Sequence, residues 1–221
     1  MKSVAVWSGS GSLALTESEE GVYSFVMPEE AVTVTAVFAE ENPFGDVAKD
    51  SYYYAPVLWA IKEEITSGMD AEHFDPDGTT TRAQMVTFLW RAAGKPAAGG
   101  SMGFADVSAD AWYAEAVRWA VAEGITKGVT ETTFCPDMAV NRGQAVTFLY
   151  RYAGLSDAEE AEPAEDGCGF EDVPKGKYYY APVLWAVEHH ITNGMTETAF
   201  SPNESCTRAQ VVTFLYREMV G

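Results

Sequence analysis

One pattern of 48 residues is written three times in this chain, as Phe44 to Arg91, Phe104 to Arg151 and Phe170 to Arg217. The opening Phe stands 38 residues before an arginine in every copy (Arg82, Arg142, Arg208), so the copies align without a gap and length varies only in the linkers. A repeat of this kind decides the architecture before any local pattern does, because one unit cannot bury an apolar face alone. Each copy reads as helix, loop, helix. In the second, Tyr113, Ala116, Val117, Ala120 and Val121 recur at helical spacing, and Gly124 is placed to end the helix in a left-handed cap. Glu64 and His190 occupy that position in the other copies. A second helix is expected to open at Thr81, Asn141 or Thr207 and to run to about Ala92, Tyr152 and Glu218. Three such pairs favour a pseudo-threefold helical bundle.

Residues 1–41 are different in kind. Val32, Val34, Ala36 and Phe38 alternate with Thr33, Thr35 and Val37, which is a strand pattern. Tyr23 to Met27 also alternates, with Pro28-Glu29-Glu30 as the expected turn between the two. Val4-Ala5-Val6 and Leu13-Ala14-Leu15 are candidates for shorter strands. The expected organisation is a partial β repeat over 1–41 and helical repeats over 42–94, 102–154 and 168–221, with an acidic linker over 155–167. The class is mainly α with a small β segment in front.

The net charge is −19 over 221 residues, which argues against nucleic acid as a partner and against an anionic membrane. No apolar run approaches a membrane span, so no membrane insertion is expected. The apolar stretch at the start is too short for a secretory signal. Either the chain stays in the cytoplasm, or it belongs to a longer precursor whose signal lies upstream. Cys135, Cys168 and Cys206 are odd in number and lack metal-site spacing, and His73, His189 and His190 have no ligand company. Asp75-Pro76-Asp77-Gly78 lacks the later ligands of a calcium loop. With no nucleophile elbow and no phosphate loop, no catalytic residue, metal or cofactor is expected.

Arginine is the sharpest clue to function. Six of the seven arginines occupy two repeat positions, Arg82, Arg142, Arg208 and Arg91, Arg151, Arg217. The first row follows Thr81, Asn141 and Thr207, and Gln84, Gln144 and Gln210 complete a capping box with those residues. Capping explains the Thr and the Gln but not the cation, since a helix start prefers negative charge. Two offsets are open. One is a carboxylate from another repeat, with Asp46, Asp106 and Asp172 recurring in register. The other is an anionic ligand held by the helix N-terminus and the forked guanidinium. The second row lies half a turn round in the last turn of the helix and reads as structural. Trp59, Trp119 and Trp185 read as core, whereas Tyr52, Trp112 and Tyr178 stand at the helix entrance and suit the apolar face of a sugar.

Phe-x-Asp-Val, an aromatic, Ala-Val-x-Trp-Ala, Gly-Ile-Thr-x-Gly, Phe-x-Pro and Thr-Arg-Ala-Gln together resemble the S-layer homology domain family, over residues 44–219. The run from Gly21 to Phe38 resembles the end of an internalin-type surface β repeat, which implies that the chain begins inside a longer surface protein. The first resemblance implies a wall-anchoring module at the bacterial cell surface. Its grooves bind secondary cell-wall polysaccharide, often ending in pyruvylated N-acetylmannosamine. It places Arg82, Arg142 and Arg208 at those grooves, joined as candidates by Gln84, Gln144, Gln210, Asp46, Asp106, Asp172, Tyr52, Trp112 and Tyr178. The family's usual Glu is Gln at 84, 144 and 210, which removes one negative charge per site. The copy reading Asn141-Arg142-Gly143-Gln144 departs most, and its groove is expected to be the weakest. The alternative is a structural module that contacts other surface-layer proteins without binding glycan.

Overall fold

The computed structural model describes residues 3–19, 22–37, 42–100, 102–155 and 169–221. The expectations for Phe38 and Cys168, and nearly all of the acidic linker, lie outside that set. The chain forms two compact units, residues 1–42 and 43–221.

The first unit holds five strands: β1 (Ser3–Ser8), β2 (Gly11–Ser12), β3 (Thr16–Glu19), β4 (Val22–Ser24) and β5 (Val32–Val37). β1 pairs antiparallel with both β2 and β5, while β3 pairs with β4. The expected hairpin between the strand at Tyr23 and the strand at Val32 does not form. β4 stops at Ser24, and β5 instead makes a six-residue ladder with β1, from Ser3↔Val37 to Ser8↔Val32. The longer ladder satisfies more backbone groups than a hairpin over the proline turn would, since Pro28 has no N–H to give. Leu13-Ala14-Leu15 is not a strand, and the polar Thr16–Glu19 is. Alternation marks a strand but does not name its partner.

The second unit holds the three helix pairs: α1 (Tyr54–Lys62) with α2 (Arg82–Ala92), α3 (Ala114–Ala122) with α4 (Arg142–Tyr152), and α5 (Tyr180–Glu188) with α6 (Arg208–Met219). The first helix of each pair ends on a left-handed residue, Glu64, Gly124 or His190 (φ 55, 72 and 57°), so the geometry expected at Gly124 is kept where the sequence offers no glycine. The second helix of each pair begins with a complete capping box, Asn141 included.

Within a repeat, the long loop is closed by an aspartate. Asp46 accepts from the N–H groups of Phe74 and Asp75 at 2.7–3.1 Å. Asp106 does the same for Phe134 and Cys135, and Asp172 for Phe200 and Ser201. These bonds hold Asp75, Cys135 and Ser201 at positive φ (60, 55 and 60°). They also pin the fully buried Phe74, Phe134 and Phe200 against the opening Phe44, Phe104 and Phe170, with ring centroids 5.7–5.8 Å apart. The glycine of the Thr-x-Gly loop is required by the same packing. A Cβ on Gly128, at φ 84°, would lie 2.5 Å from the Phe104 ring and 2.5 Å from the Thr130 carbonyl oxygen.

Between repeats the order is cyclic. α2 packs on α3, α4 on α5 and α6 on α1. At the axis Thr80 donates its N–H to the carbonyl of Cys206, Cys206 to Val140, and Val140 to Thr80, at 3.0, 2.9 and 2.8 Å. All three residues are fully buried. The expected pseudo-threefold bundle is therefore a closed ring, locked at its centre by backbone hydrogen bonds.

Candidate functional site

The cyclic order decides where the helix-start arginines go. The first two N–H groups of α2, from Arg82 and Ala83, donate to the carbonyls of Met138 and Pro136 in the next repeat. Arg142 and Gly143 donate to Glu204 and Pro202, and Arg208 and Ala209 to Gly78 and Pro76. The third donor of each helix goes to its cap. The orphan donors that make a helix start an anion receptor are thus consumed by the ring. The expected combination of helix N-terminus and guanidinium around a ligand is reduced to the side chain alone.

That side chain is buried. Arg82, Arg142 and Arg208 are 2–3% exposed. Each Nε donates to a carbonyl of the next repeat: Arg82 to Phe134 at 2.8 Å, Arg142 to Phe200 at 2.9 Å and Arg208 to Phe74 at 2.8 Å. Each guanidinium also lies over two phenylalanine rings, Phe134 and Phe148 for Arg82, at 4.7–5.6 Å across the three copies. Carbonyl and π-face contacts are what stabilise a cation at this unfavourable end of a helix. Asp46, Asp106 and Asp172 add a weaker field from beyond hydrogen-bond range. Burial pulls all three guanidinium pKa values down, and those carboxylates oppose it. Arg142 Nη2 reaches Thr192 Oγ1 at 3.5 Å, while Nη2 of Arg82 and of Arg208 has no hydrogen-bond partner.

Over Arg82 opens a groove of about 330 Å³ to which all three repeats contribute. The first repeat supplies Arg82 and the third supplies Tyr178. The second supplies the loop Thr126 to Val129 and, from α4, Gln144, Thr147, Phe148 and Arg151. By the register of the repeats, the positions equivalent to Arg82, Gln144 and Tyr178 are Arg142, Gln210 and Tyr52, and then Arg208, Gln84 and Trp112. Tyr52 lies within the electrostatic reach of Arg142, as Tyr178 does of Arg82. Tyr52, Trp112 and Tyr178 are 59, 63 and 52% exposed, whereas Trp119 and Trp185 are buried. Trp59 packs edge-on against Tyr216.

The candidates therefore separate. Tyr178 and Gln144 share the groove with Arg82, whose burial makes it the floor rather than the rim. The aspartates sit in the loop behind, bonded to backbone. Asn141 caps its helix fully and lies at the Tyr178 hydroxyl. Its substitution for Thr thus leaves the lined groove built. Residues that the sequence reading passed over are Thr126, Lys127, Gly128, Thr147 and Arg151. Arg151 faces away from Arg142 on its own helix and reads from the sequence as structural. It makes that structural bond, donating to the Ile125 carbonyl at 3.2 Å, and also lines the groove over Arg82 from the neighbouring repeat. The signal was present as Ile-Thr-x-Gly, kept three times with only x changing.

Among the described residues no group of three or more His, Cys, Asp and Glu could hold a metal ion. No helix among them is long and apolar enough to cross a membrane.

Comparison with known proteins bears on what such a ring does. A sequence profile described as the S-layer homology domain matches residues 43–86, 103–146 and 169–212. A cell surface protein of Thermoanaerobacter kivui is 34% identical over 52% of this chain and 15% of its own length. A surface-layer 125 kDa protein of Lysinibacillus sphaericus is 29% identical over 80% of this chain and 15% of its own. An endoglucanase of Bacillus sp. (strain KSM-635) is 26% identical over 86% of this chain and 20% of its own. The chain thus spans a fifth or less of each of these relatives.

Proposed function

The chain belongs to the S-layer homology domain family, and from that premise we propose that it fastens a protein to the bacterial cell wall without a covalent bond. It does so by seating acidic sugars of a secondary wall polysaccharide, pyruvylated residues among them, in the grooves between repeats. The site of action is the cell surface. The part has no reaction of its own: a surface-layer protein and an endoglucanase share it as a small fraction of their length, and what such different proteins have in common is a place rather than a substrate turned over.

The observation that carries the reading is the groove itself. The exposed Tyr178 of one repeat, the buried guanidinium of Arg82 from another and Gln144 from the third line one groove. A sugar offers an apolar face to the ring and hydroxyls to the amide, and an acid group lies within the field of the cation. Arg82, Arg142 and Arg208 set that field from below. Gln84, Gln144 and Gln210, with Tyr52, Trp112 and Tyr178, make the direct contacts. Asp46, Asp106 and Asp172 support the loop. With a net charge of −19, the chain repels an anionic polymer at long range, so attachment depends on these local contacts.

A second reading has one observation in its favour: each arginine bonds a carbonyl of the next repeat, as a purely structural bridge would. In that case the ring is an interaction module of a surface layer. Co-sedimentation with purified wall sacculi separates the two. The intact chain is expected to pellet with walls, and not with walls stripped of their acidic glycan. Combined replacement of Tyr52, Trp112 and Tyr178 by Ala is expected to abolish pelleting while the thermal midpoint stays put. A chain that remains in the supernatant with untreated walls overturns the anchoring reading.

A further inference from the structure

The three grooves share a frame but not a charge. The residue after the loop threonine is Lys127 in the groove above Arg82, Asn193 in the one above Arg142 and Ser67 in the one above Arg208. All three are exposed. The residue following the buried Phe differs too, being Cys135, Ser201 and Asp75 respectively. The carboxylate of Asp75 acts on Arg208 together with Asp46, whereas Arg82 and Arg142 each feel one aspartate. Counting the second arginine row, the first groove sets three cations against one carboxylate. The second sets two against two, Asp172 acting on its Arg142 and Asp77 on its Tyr52, and the third two against two.

We infer that the groove between Arg82, Lys127 and Tyr178 is the principal anion seat of the ring, with Lys127 as its specificity-determining contact. The inference rests on the glycan-binding reading and deepens it by naming which groove and which side chain meet the acid. Geometry supports it. Arg82 is 3% exposed and its Nη2 has no protein partner, so it lends charge to the groove while presenting almost no surface. Lys127 is an exposed cation lining the same groove as Arg82 and Tyr178. A carboxylate or phosphate on a sugar stacked against Tyr178 reaches the Lys127 ammonium with Arg82 beneath. In the other two grooves the corresponding side chain is neutral, so an acid there meets only the shielded guanidinium and the arginine from the second row.

The test is an NMR titration of the full chain with glucuronic acid and, separately, glucose 6-phosphate as small probes. Amide shifts are expected to concentrate on Lys127, Gly128, Val129 and Tyr178, at concentrations leaving 67–69 and 193–195 unmoved. The stronger of the two responses tells whether a carboxylate or a phosphate is preferred. Replacing Lys127→Gln is expected to weaken the response about tenfold, the loss of one charged hydrogen bond, and Asn193→Lys to create a second responding groove. Equal shifts in all three grooves, no shift with either probe, or a K127Q response within twofold of the parent would overturn the inference. A chain that shows the Lys127 response yet ignores purified walls would leave this inference standing and defeat the anchoring reading instead.

Discussion

The axis of the ring and the rims of its grooves are built from the same three repeats, but they use repetition differently. At the axis every bond crosses to the next repeat and the last returns to the first: Thr80, Val140 and Cys206 close a cycle, and so do the bonds of Arg82, Arg142 and Arg208. A bond in such a cycle serves two repeats, so the positions that make it hold one geometry three times. At the rims the side chains vary from repeat to repeat. Lys127, Asn193 and Ser67 differ, and Trp112 stands where the other two repeats have Tyr52 and Tyr178. The frame is therefore threefold while the surface it presents is not. A polymer can be met by three unequal grooves on one scaffold.

The sharpest break of this division is expected where frame and rim share a residue. Gly128 lines the groove and also sits 2.5 Å, at its missing Cβ, from both the Phe104 ring and a backbone oxygen. Gly128→Ala adds a clash with backbone at a φ that alanine avoids. It should lower stability by about 4 kcal/mol or prevent folding, beyond the usual range for one methyl. A urea midpoint within error of the parent would show that the loop yields, and that frame and rim are less tightly joined.

The two arginine rows sharpen the comparison at a smaller scale. Arg82→Met keeps bulk but removes two π contacts and the bond to the Phe134 carbonyl, leaving a buried acceptor unpaired. A loss of about 3 kcal/mol is expected. Arg91→Met removes a bond to the Ile65 carbonyl at 3.0 Å from a half-buried side chain within one repeat. About 1 kcal/mol is expected there. Equal losses would mean that closing the ring adds nothing beyond local bonding.

The aspartate staple of the second repeat, Asp106, responds to pH. At Asp106 burial would raise the carboxyl pKa, but the N–H groups of Phe134 and Cys135, with Arg82 near, outweigh it and hold it below the usual value. A group depressed on folding contributes stability above its unfolded pKa, about 3.9 for Asp, and that contribution fades as pH falls through the folded value. Thermal midpoints should therefore drop below about pH 4, and Asp106→Asn should flatten that drop while lowering the midpoint at neutral pH. An unchanged acid limb in the variant would assign the drop to other groups.

Much of the frame was legible because its signals are local. Thr81, Asn141 and Thr207 with their glutamines mark the helix starts, and Gly124 marks an end that Glu64 and His190 share in geometry. What could not be read was any partner far along the chain. The bonds of Arg82 reach 52 residues ahead and those of Arg208 reach 134 back. The helix-start donors looked available for a ligand because nothing local uses them. The register of Asp46, Asp106 and Asp172 was visible, but not that their bonds go to backbone 28 and 29 residues on. Arg151 makes the structural bond its position predicts, to the Ile125 carbonyl, but that it also lines the groove over Arg82 was not legible, because the two faces of one helix say nothing about a neighbouring repeat. In the β unit, alternation found β5 and missed that it pairs with β1.

An effect as small as that of Arg91→Met is expected at the axis itself. Thr80 is fully buried and its Oγ1 has no hydrogen-bond partner, while the same place is held by Val140 and by Cys206 in the other repeats. Burial pushes the Cys206 thiol up to about 12, which fits an apolar axis where only backbone groups pair. An unpaired buried hydroxyl opposes folding, and valine has nearly the same shape. Thr80→Val should therefore raise stability by about 1 kcal/mol. For a ring of this size that is a rise of roughly 2–4 °C in the thermal midpoint. The reverse exchange, Val140→Thr, should lower it by a similar amount, because it adds a second orphan hydroxyl to the same small space. A fall in the midpoint for T80V would mean that the hydroxyl is bonded after all. The axis would then carry a polar, repeat-specific contact, and the contrast between a uniform interior and a varied rim would fail at its centre.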